Sequence, residues 1–243
     1  MKYAIIAAGE GSRLAREGID SPKPLVEVGG ERLIDRLMRV FRENGATEIV
    51  AICNEQMTEV RNHLERIAAQ GDSPRVRFVV KSTPSSMHSM WELSRWLGDE
   101  PFVLTTVDTI FREEEFAAYV SDFRRLVESG EADGLMGVTD YIDDEKPLYV
   151  ATDEQLHITG FLDRCDTPRY ISGGIYGLTP VSLATLQRCI ERGESRMRNF
   201  QRALVTDGLR LQAWPFSKVL DIDHAEDIEK AEVFLKSKDC KVE

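Results

Sequence analysis

The sequence lacks the positive charge, the cysteine spacing and the long apolar runs that several classes of protein require. Its 243 residues carry 31 basic and 42 acidic side chains, a formal net charge of −11, which excludes a general basic face for nucleic acid. No segment reaches the roughly 18–20 apolar residues needed to cross a bilayer. No C-x-x-C pair occurs, which disfavours a zinc site or a disulfide framework; the four cysteines are Cys53, Cys165, Cys189 and Cys240. We therefore expect a cytoplasmic protein with no nucleic-acid or membrane partner.

Short apolar runs alternate with amphipathic stretches through the first half of the chain. Continuous β-branched runs predict buried strands, and apolar residues at helical spacing predict the helices between them. Such alternation implies right-handed crossovers and a parallel sheet that is covered on both faces. The predicted strands span residues 3–8, 48–53, 76–80 and 102–107, and the predicted helices span residues 33–44, 57–69 and 87–97.

The rhythm changes after about residue 138, where turns rather than helices separate the apolar runs. We predict strands at 149–152, 156–162, 171–178 and 210–215, with helices at 180–192, 197–207 and 225–236. This pattern indicates a small β-rich section laid over one edge of the sheet. The predicted fold is α/β, with a Rossmann-like, mixed and mostly parallel sheet and helices on both faces. Residues 1–243 form a single domain with two functional halves, 1–138 and 139–243.

A glycine-rich loop, Ala-Ala-Gly-Glu-Gly-Ser-Arg-Leu at residues 7–14, directly follows the first predicted strand. Ligands of open parallel sheets bind beyond the carboxyl ends of the strands, and glycines let backbone N–H groups approach phosphate closely. A tight turn without a ligand would have the same local sequence. A dinucleotide fingerprint is excluded because Leu14 stands in place of the third glycine and the loop leads to Pro22 and Pro24 instead of a helix.

A lysine between two prolines, in Ser-Pro-Lys-Pro-Leu at residues 21–25, forms the second motif. Because both prolines restrict the backbone to an extended form, the ammonium of Lys23 has a fixed direction. The planar guanidinium of Arg13, ten residues earlier, is suited to phosphate oxygens. The two cations together predict a phosphate-binding site.

The two motifs together resemble those of the sugar nucleotidyltransferase family, whose signature is a G-x-G-[ST]-R-[LM] loop followed by P-K-P-[LM]. The resemblance implies that residues 1–138 bind a nucleoside triphosphate and residues 139–243 bind an acceptor. It also implies Mg²⁺ as cofactor, held by Asp108 at the end of a central strand and by Asp223 before the last helix. Asp221 is the alternative second ligand, and Asp227 is expected to be a first-turn acid of that helix. Further implied roles are phosphate contacts for Arg13 and Lys23, and nucleotide contacts for Ala8, Gly9, Gly11 and Ser12.

Two further segments correspond to substrate contacts of the family. Ser86 and Ser89 occupy the place of base and ribose contacts, although Ser85 or Ser86 could equally be a helix N-cap. Gly173 and Gly174 resemble the acceptor-side strand, and Arg164 follows Asp163 where many relatives carry Glu-Lys. We expect all three of Gly173, Gly174 and Arg164 to contact the acceptor.

The resemblance implies transfer of a nucleoside monophosphate from a nucleoside triphosphate to a sugar 1-phosphate, with release of pyrophosphate. A cytidylyltransferase acting on phosphocholine or a similar phosphoalcohol is one alternative. It would need an aromatic cage, for which residues 140–144, Tyr149 and Tyr170 are candidates. A catalytically inactive nucleotide-binding relative is the other alternative, and the presence together of Arg13, Lys23 and both aspartates weighs against it.

Overall fold

The computed structural model describes residues 1–9, 11–71, 73–143 and 146–237, so Cys240 and Asp144 lie outside the described residues. Their strands are β1 (Lys2–Ala7), β2 (Glu27–Val28), β3 (Glu31–Arg32), β4 (Glu48–Cys53), β5 (Arg75–Val80), β6 (Phe102–Thr106), β7 (Thr109–Ile110), β8 (Gly134–Thr139), β9 (Tyr149–Thr152), β10 (Ile158–Leu162), β11 (Tyr170–Leu178), β12 (Leu211–Phe216) and β13 (Leu220–Asp221). The helices are α1 (Ser12–Arg16), α2 (Leu33–Glu43), α3 (Thr58–Ala69), α4 (Ser86–Ser94), α5 (Glu113–Glu128), α6 (Ser182–Glu191), α7 (Met197–Thr206) and α8 (Ala225–Lys236), with a 3₁₀ turn at Lys23–Leu25.

Four parallel strands form the centre of the main sheet, in the order β5, β4, β1 and β6. All six residues of β1 are buried. A continuous apolar run is expected for such a strand because it has a neighbour on each side and helices over each face. The four strands predicted from the first half of the sequence are confirmed, with ends within one residue.

The strands of the second half extend the same sheet instead of lying over its edge. Strand β11 runs antiparallel to β6, β8 and β9, while β12 pairs in parallel with β8 and β10 pairs antiparallel with β9. The result is a mixed sheet of nine strands, which confirms the predicted α/β class. The prediction of a section laid over the edge was wrong, because β11 hydrogen-bonds directly to the central strand β6.

Seven elements were not predicted: α1, α5 and β8, and the four strands of two residues, β2, β3, β7 and β13, which are too short to show alternation. Helix α1 corrects the expectation that the glycine loop leads on without a helix; it has only five residues, too few to show a repeat. Helix α5 has a clear apolar face that includes Phe116, Tyr119 and Phe123, so its sequence did carry a signal. Strand β8 contains two glycines, which weaken the usual strand pattern.

The buried apolar side chains form two clusters, one on each face of the sheet. Phe41, Phe111 and Phe116 lie in the first, and Met90, Phe102 and Phe200 lie in the second. No helix in the described ranges is long and apolar enough to cross a membrane. Three cysteines, Cys53, Cys165 and Cys189, carry free thiols.

Candidate active site

The candidate site lies at the carboxyl ends of β1 and β6, which are adjacent parallel strands with Ile6 opposite Thr106. The glycine loop follows β1, and Asp108 comes two residues after β6. Neighbouring strands leave this edge of the sheet toward different elements, which opens a crevice between their connections. The chain therefore delivers the glycine loop and Asp108 to one place.

A two-stranded ribbon brings the distant aspartates to the same place. Strand β13 pairs antiparallel with β7, with Asp221 opposite Thr109, and the N–H of Ile222 donates to the carbonyl of Asp108 at 3.1 Å. The segment before α8 is thereby fixed beside the end of β6. This pairing brings together two segments that are more than one hundred residues apart in the sequence.

The ammonium of Lys23 lies between the two predicted metal ligands. Its Nζ donates to Oδ2 of Asp108 at 2.7 Å and to Oδ1 of Asp223 at 2.7 Å. Arg13 Nη1 donates to the other oxygen of Asp223 at 3.1 Å. Lys23 is buried, with 9% of its surface exposed, so these two carboxylates compensate its loss of hydration.

The electrostatics of the cluster follow from these contacts. Burial acts to lower the pKa of Lys23, but Asp108 and then Asp223 raise it above its ordinary value overall. Burial acts to raise the pKa of Asp223, and the hydrogen bond and charge of Lys23, with the charge of Arg13, lower it overall. The lysine is thus held as a cation and Asp223 as an anion.

Between the two rival aspartates, the structure brings Asp223 and Asp108 together at Lys23. Asp221, two residues earlier, instead lines both of the cavities described below. The roles of Asp108 and Asp223 as metal ligands stay predictions. No cluster of three or more His, Cys, Asp or Glu side chains suited to a metal occurs within the described residues.

The N-terminus of α8 is bound by carboxylates. Asp227 accepts from the N–H groups of Asp223, at 3.1 Å, and His224, at 2.7 Å, which confirms its expected place as a first-turn helix acid. Glu17, which sequence reasoning did not single out, accepts from His224 Nδ1 and from the N–H of Ala225, both at 2.7 Å. Nothing in the sequence links Glu17 to residues more than two hundred positions away.

One cavity, here called the loop cavity, lies beside the glycine loop and has a volume of about 520 Å³. Of the predicted nucleotide contacts, Ala8, Gly9, Ser86 and Ser89 line it, together with Lys23 and Asp108. Gly11 and Ser12 do not. Gly11 has a φ of +62°, and a Cβ there would lie 3.1 Å from the Cβ of Lys23, so the glycine permits the lysine to approach the loop.

Ser85, Ser86 and Ser89, at the start of α4, all line the loop cavity, and one of them also caps the helix. Ser85 is the N-cap, and its Oγ accepts from the N–H of His88, which decides between the two candidates considered for capping. Ser89 is buried and its hydroxyl lies 2.6 Å from that of Thr83. Asn54, another lining residue that sequence reasoning missed, accepts from the Ser82 hydroxyl at 2.9 Å and so joins the ends of β4 and β5.

A second cavity, here called the helix cavity, lies beside α8 and has a volume of about 660 Å³. Gly173, Arg13 and Asp223 line it, and Asp221 is shared with the loop cavity. Two lysines that were not predicted, Lys146 and Lys230, line it as well. The two cavities therefore meet at the Asp221 segment, beside the cluster around Lys23.

Two predicted acceptor contacts, Gly174 and Arg164, are not among the residues that line the helix cavity. Gly174 has a φ of +71°, and a Cβ placed on it would lie 3.4 Å from Oγ1 of Thr109. The carboxylate of Asp163 accepts from Arg198 and Arg202 of α7, each at 2.7 Å. Arg164, the next residue, is not among those that line the helix cavity, and its acceptor contact stays a prediction.

The aromatic cage required by a choline acceptor is not assembled within the described residues. Tyr141 lines the helix cavity, but Tyr149 and Tyr170 do not. The ammonium of Lys218 lies 3.9 Å from the ring centroid of Tyr141, so a cation of the protein already occupies one face of that ring. This arrangement weighs against the phosphocholine alternative.

The fold and the site define an open α/β protein with a glycine loop at the carboxyl edge of its sheet. A cluster of two carboxylates and two cations lies between two cavities. The nucleotidyl transferase family model matches residues 2–238. The chain belongs to this family. The resemblance to this family, stated from the loop and the Pro-Lys-Pro segment, is confirmed.

Curated relatives extend the comparison. The chain is similar to the UTP–glucose-1-phosphate uridylyltransferase AglF of Haloferax volcanii, with 24% identity covering 96% of this chain and 95% of the relative. It is also similar to a glucose-1-phosphate cytidylyltransferase of Salmonella typhimurium, with 38% identity over 53 residues, which cover 22% of this chain and 21% of the relative. That second match spans about a fifth of the relative's length.

Solved structures show the same fold. A Bacillus anthracis protein assigned as a glucose-1-phosphate thymidylyltransferase superposes with a TM-score of 0.82 at 19% identity, covering 98% of this chain and 96% of the other. The inositol-1-phosphate CTP transferase of T. maritima superposes with a TM-score of 0.73 at 19% identity, covering 98% of each chain. At these identities the likeness concerns the fold alone.

Proposed function

We propose that the protein transfers a nucleoside monophosphate from a nucleoside triphosphate to a sugar 1-phosphate and releases pyrophosphate. The observation that carries the proposal is the position of Lys23, Asp108 and Asp223 between two cavities of suitable size. The triphosphate would occupy the loop cavity and the acceptor the helix cavity. The named activities of the relatives, which use glucose 1-phosphate with CTP or UTP, support this reaction class.

The donor set of the site fits a magnesium ion. The two carboxylate oxygens that contact Lys23 each lie 2.7 Å from its Nζ, so they are separated by no more than twice that distance. Mg²⁺ prefers oxygen ligands and is commonly bound by one or two carboxylates together with substrate phosphates. When bound, the ion would supply a template and a Lewis acid for the phosphate oxygens. Asp108 and Asp223 would hold it.

The residues of the chain would then orient two anions and stabilise the leaving group. The acceptor phosphate has a second pKa of about 6 and is largely dianionic at neutral pH, so its oxygen needs no general base. We infer an in-line attack on the α-phosphorus from the side of the helix cavity. Lys23 and Arg13, fixed before the reaction by their carboxylate partners, would stabilise the negative charge that develops on pyrophosphate.

A sugar 1-phosphate is favoured over phosphocholine because the described part of the cavity offers polar and glycine contacts instead of an aromatic cage. Gly173 lines the cavity, and Lys146 and Lys230 would add positive charge for the acceptor phosphate. Lys230 is held by Glu226 at 2.8 Å and Asp227 at 3.2 Å, which restricts its position. An inactive relative is disfavoured because Arg13, Lys23 and both aspartates converge on one cluster.

The test is a matrix of pyrophosphate-release assays with Mg²⁺. Each of CTP, UTP, dTTP, ATP and GTP is paired with glucose 1-phosphate, inositol 1-phosphate, 3-aminopropylphosphonate and phosphocholine. The proposal expects release above the acceptor-free rate with at least one nucleotide and glucose 1-phosphate. Pyrophosphate release only with phosphocholine would favour the phosphocholine cytidylyltransferase alternative. Nucleotide binding without pyrophosphate release in any pair would favour the inactive relative.

A further inference from the structure

Helix α1, which begins within the glycine loop, is joined to the start of α8 through two side chains. Arg13 and Glu17 are four residues apart and therefore share one side of the helical turn. Arg13 contacts the carboxylate of Asp223 at 3.1 Å. Glu17 contacts His224 Nδ1 with one oxygen and the N–H of Ala225 with the other, both at 2.7 Å. We call the contacts of Glu17 with residues 224 and 225 the Glu17 clasp.

The position of Glu17 is explained by α8 and not by its own helix. Glu17 is the C-cap of α1, where a carboxylate faces the unpaired carbonyl oxygens of the last turn and is electrostatically unfavourable. The same carboxylate lies at the N-terminus of α8, where unpaired N–H groups favour an anion. The hydrogen bond from Ala225 and that from His224 both lower the pKa of Glu17 below its ordinary value.

The clasp completes the set of contacts that holds Asp223 in place. The N–H groups of residues 223 and 224 donate to Asp227, and the third consecutive N–H, of Ala225, donates to Glu17. The acceptor of the first two bonds belongs to α8 itself, whereas the acceptor of the third, Glu17, belongs to the end of α1. The first turn of α8 and the glycine loop are therefore linked immediately beside the Lys23 cluster.

We propose that Glu17 is a positioning residue, which holds Arg13 and Asp223 in register so that the glycine loop binds the triphosphate in a preorganised form. This inference rests on the proposed function, since it concerns the triphosphate site. Glu17 lines the helix cavity but not the loop cavity, so its effect on nucleotide binding passes through α1 and Arg13. Loss of the clasp would require nucleotide binding to order α1, and this cost would appear as weaker affinity.

A substitution that neutralises Glu17 separates positioning from electrostatics, because the two effects change nucleotide affinity in opposite directions. Glu17→Gln removes one negative charge near a site for a polyanion, so electrostatics alone predict tighter nucleotide binding. Loss of positioning predicts weaker binding. Glu226→Gln is the matched control: Glu226 also lines the helix cavity, in the first turn of α8, and its exposed carboxylate contacts Lys230 instead of α1.

Nucleotide affinity is measured by calorimetry with CTP and with UTP in the presence of EDTA, so that no divalent ion contributes. The proposal expects Kd for Glu17→Gln to rise about fivefold or more relative to Glu226→Gln, the lower range of coupling between linked sites. A Glu17→Gln affinity equal to or tighter than that of Glu226→Gln would overturn it.

Hydrogen exchange tests the clasp without any nucleotide. In Glu17→Gln, the amide of Ala225 and the amides of α1 should exchange faster, while those of β4 and β5 keep their rates. Asp153→Asn is the control, because Asp153 and His157 form a similar pair at 2.9 Å and neither residue lines either cavity. Unchanged exchange at Ala225 and α1 would overturn the clasp. Faster exchange in a protein that binds none of CTP, UTP, dTTP, ATP and GTP would support the clasp as a link and defeat the proposed function instead.

Discussion

Asp108→Asn should abolish most of the turnover while leaving the fold in place. Asp108 is two residues beyond the buried strand β6, and its carboxylate shares Lys23 with Asp223. The asparagine has the same shape, and Lys23 keeps its 2.7 Å contact with Asp223. We therefore expect the unfolding free energy to fall by about 1.5–3 kcal/mol, the contribution of a charged hydrogen bond, and the melting temperature to fall by several degrees.

The effect on catalysis should be much larger than the effect on stability. The substitution removes a hard anionic ligand from the proposed metal site and one of the two anions that fix Lys23. Loss of a single preorganised electrostatic group lowers turnover by about 10²–10³, equivalent to roughly 3–4 kcal/mol at 1.36 kcal/mol for each tenfold change. The assay is pyrophosphate release with CTP or UTP and glucose 1-phosphate, alongside thermal unfolding.

Asp133→Asn is the matched control for this experiment. Asp133 accepts from Arg210 Nη2 at 2.9 Å and from its Nε at 3.0 Å, at the start of β8, and it lines neither cavity. It should lose stability but keep its turnover. Turnover of Asp108→Asn within tenfold of the wild type, or an equal loss of turnover in Asp133→Asn, would refute the role given to Asp108.

Three further predictions concern other features of the site and fold. Gly11→Ala should lower the unfolding free energy by at least about 1–2 kcal/mol, because the φ of Gly11 is +62° and the new Cβ would lie 3.1 Å from the Cβ of Lys23. Gly9→Ala should keep its melting temperature, because no atom lies within 4 Å of the new Cβ. It should nevertheless lose nucleotide affinity in a binding titration. Lys23→Met should bind Mn²⁺ more tightly without nucleotide, since no ammonium competes for the carboxylates, but release pyrophosphate about 10²–10³ times more slowly; unchanged Mn²⁺ affinity by electron paramagnetic resonance would contradict this. Hydrogen bonds from Arg210 lower the pKa of Asp133. The ionised Asp133 therefore stabilises the fold above about pH 4, and this contribution is lost as the pH falls through its lower folded-state pKa. In chemical unfolding between pH 6 and 2.5, the unfolding free energy of Asp133→Asn should fall less than that of the wild type.

The regular elements could be predicted wherever the chain carries enough residues to show a period. Strand β4 and helix α8 have the predicted bounds, Glu48–Cys53 and Ala225–Lys236. Helix α1 is too short for this, and its five residues are bounded by Gly11 at φ +62° and Gly18 at φ +89°. Its start is decided by backbone freedom at a glycine and not by an apolar pattern.

The sequence predicted which residues form the cluster, but not the contacts that bring them together. The resemblance pointed to Lys23, Asp108 and Asp223, whereas their convergence depends on the ribbon of β7 with β13, two residues per strand. Strands of two residues have no detectable alternation. Glu17 was missed for a similar reason, because its partners begin a helix at the other end of the chain.

The role of Arg164 was carried over from the family by position, and it stays a prediction. The predicted strand before it exists as β10, but it ends at Leu162, and the orientation of the next residue is set by arginines of α7. Arg198 and Arg202 bind Asp163, a tertiary contact that the local sequence does not contain. The lysines of the helix cavity, Lys146 and Lys230, are distant from both family motifs and carried no sequence signal of their own.

The most direct test of the proposed reaction follows the α-phosphate of the nucleotide. The wild-type protein is incubated with Mg²⁺, glucose 1-phosphate and CTP or UTP that is radiolabelled either on the α-phosphate or on the γ-phosphate, and the products are separated by chromatography. We predict that the α-label appears in a nucleotide sugar and the γ-label in pyrophosphate, in equal amounts. Release of the γ-label as orthophosphate, or an α-label that stays in free nucleotide while the γ-label is released, would contradict nucleotidyl transfer to the sugar phosphate.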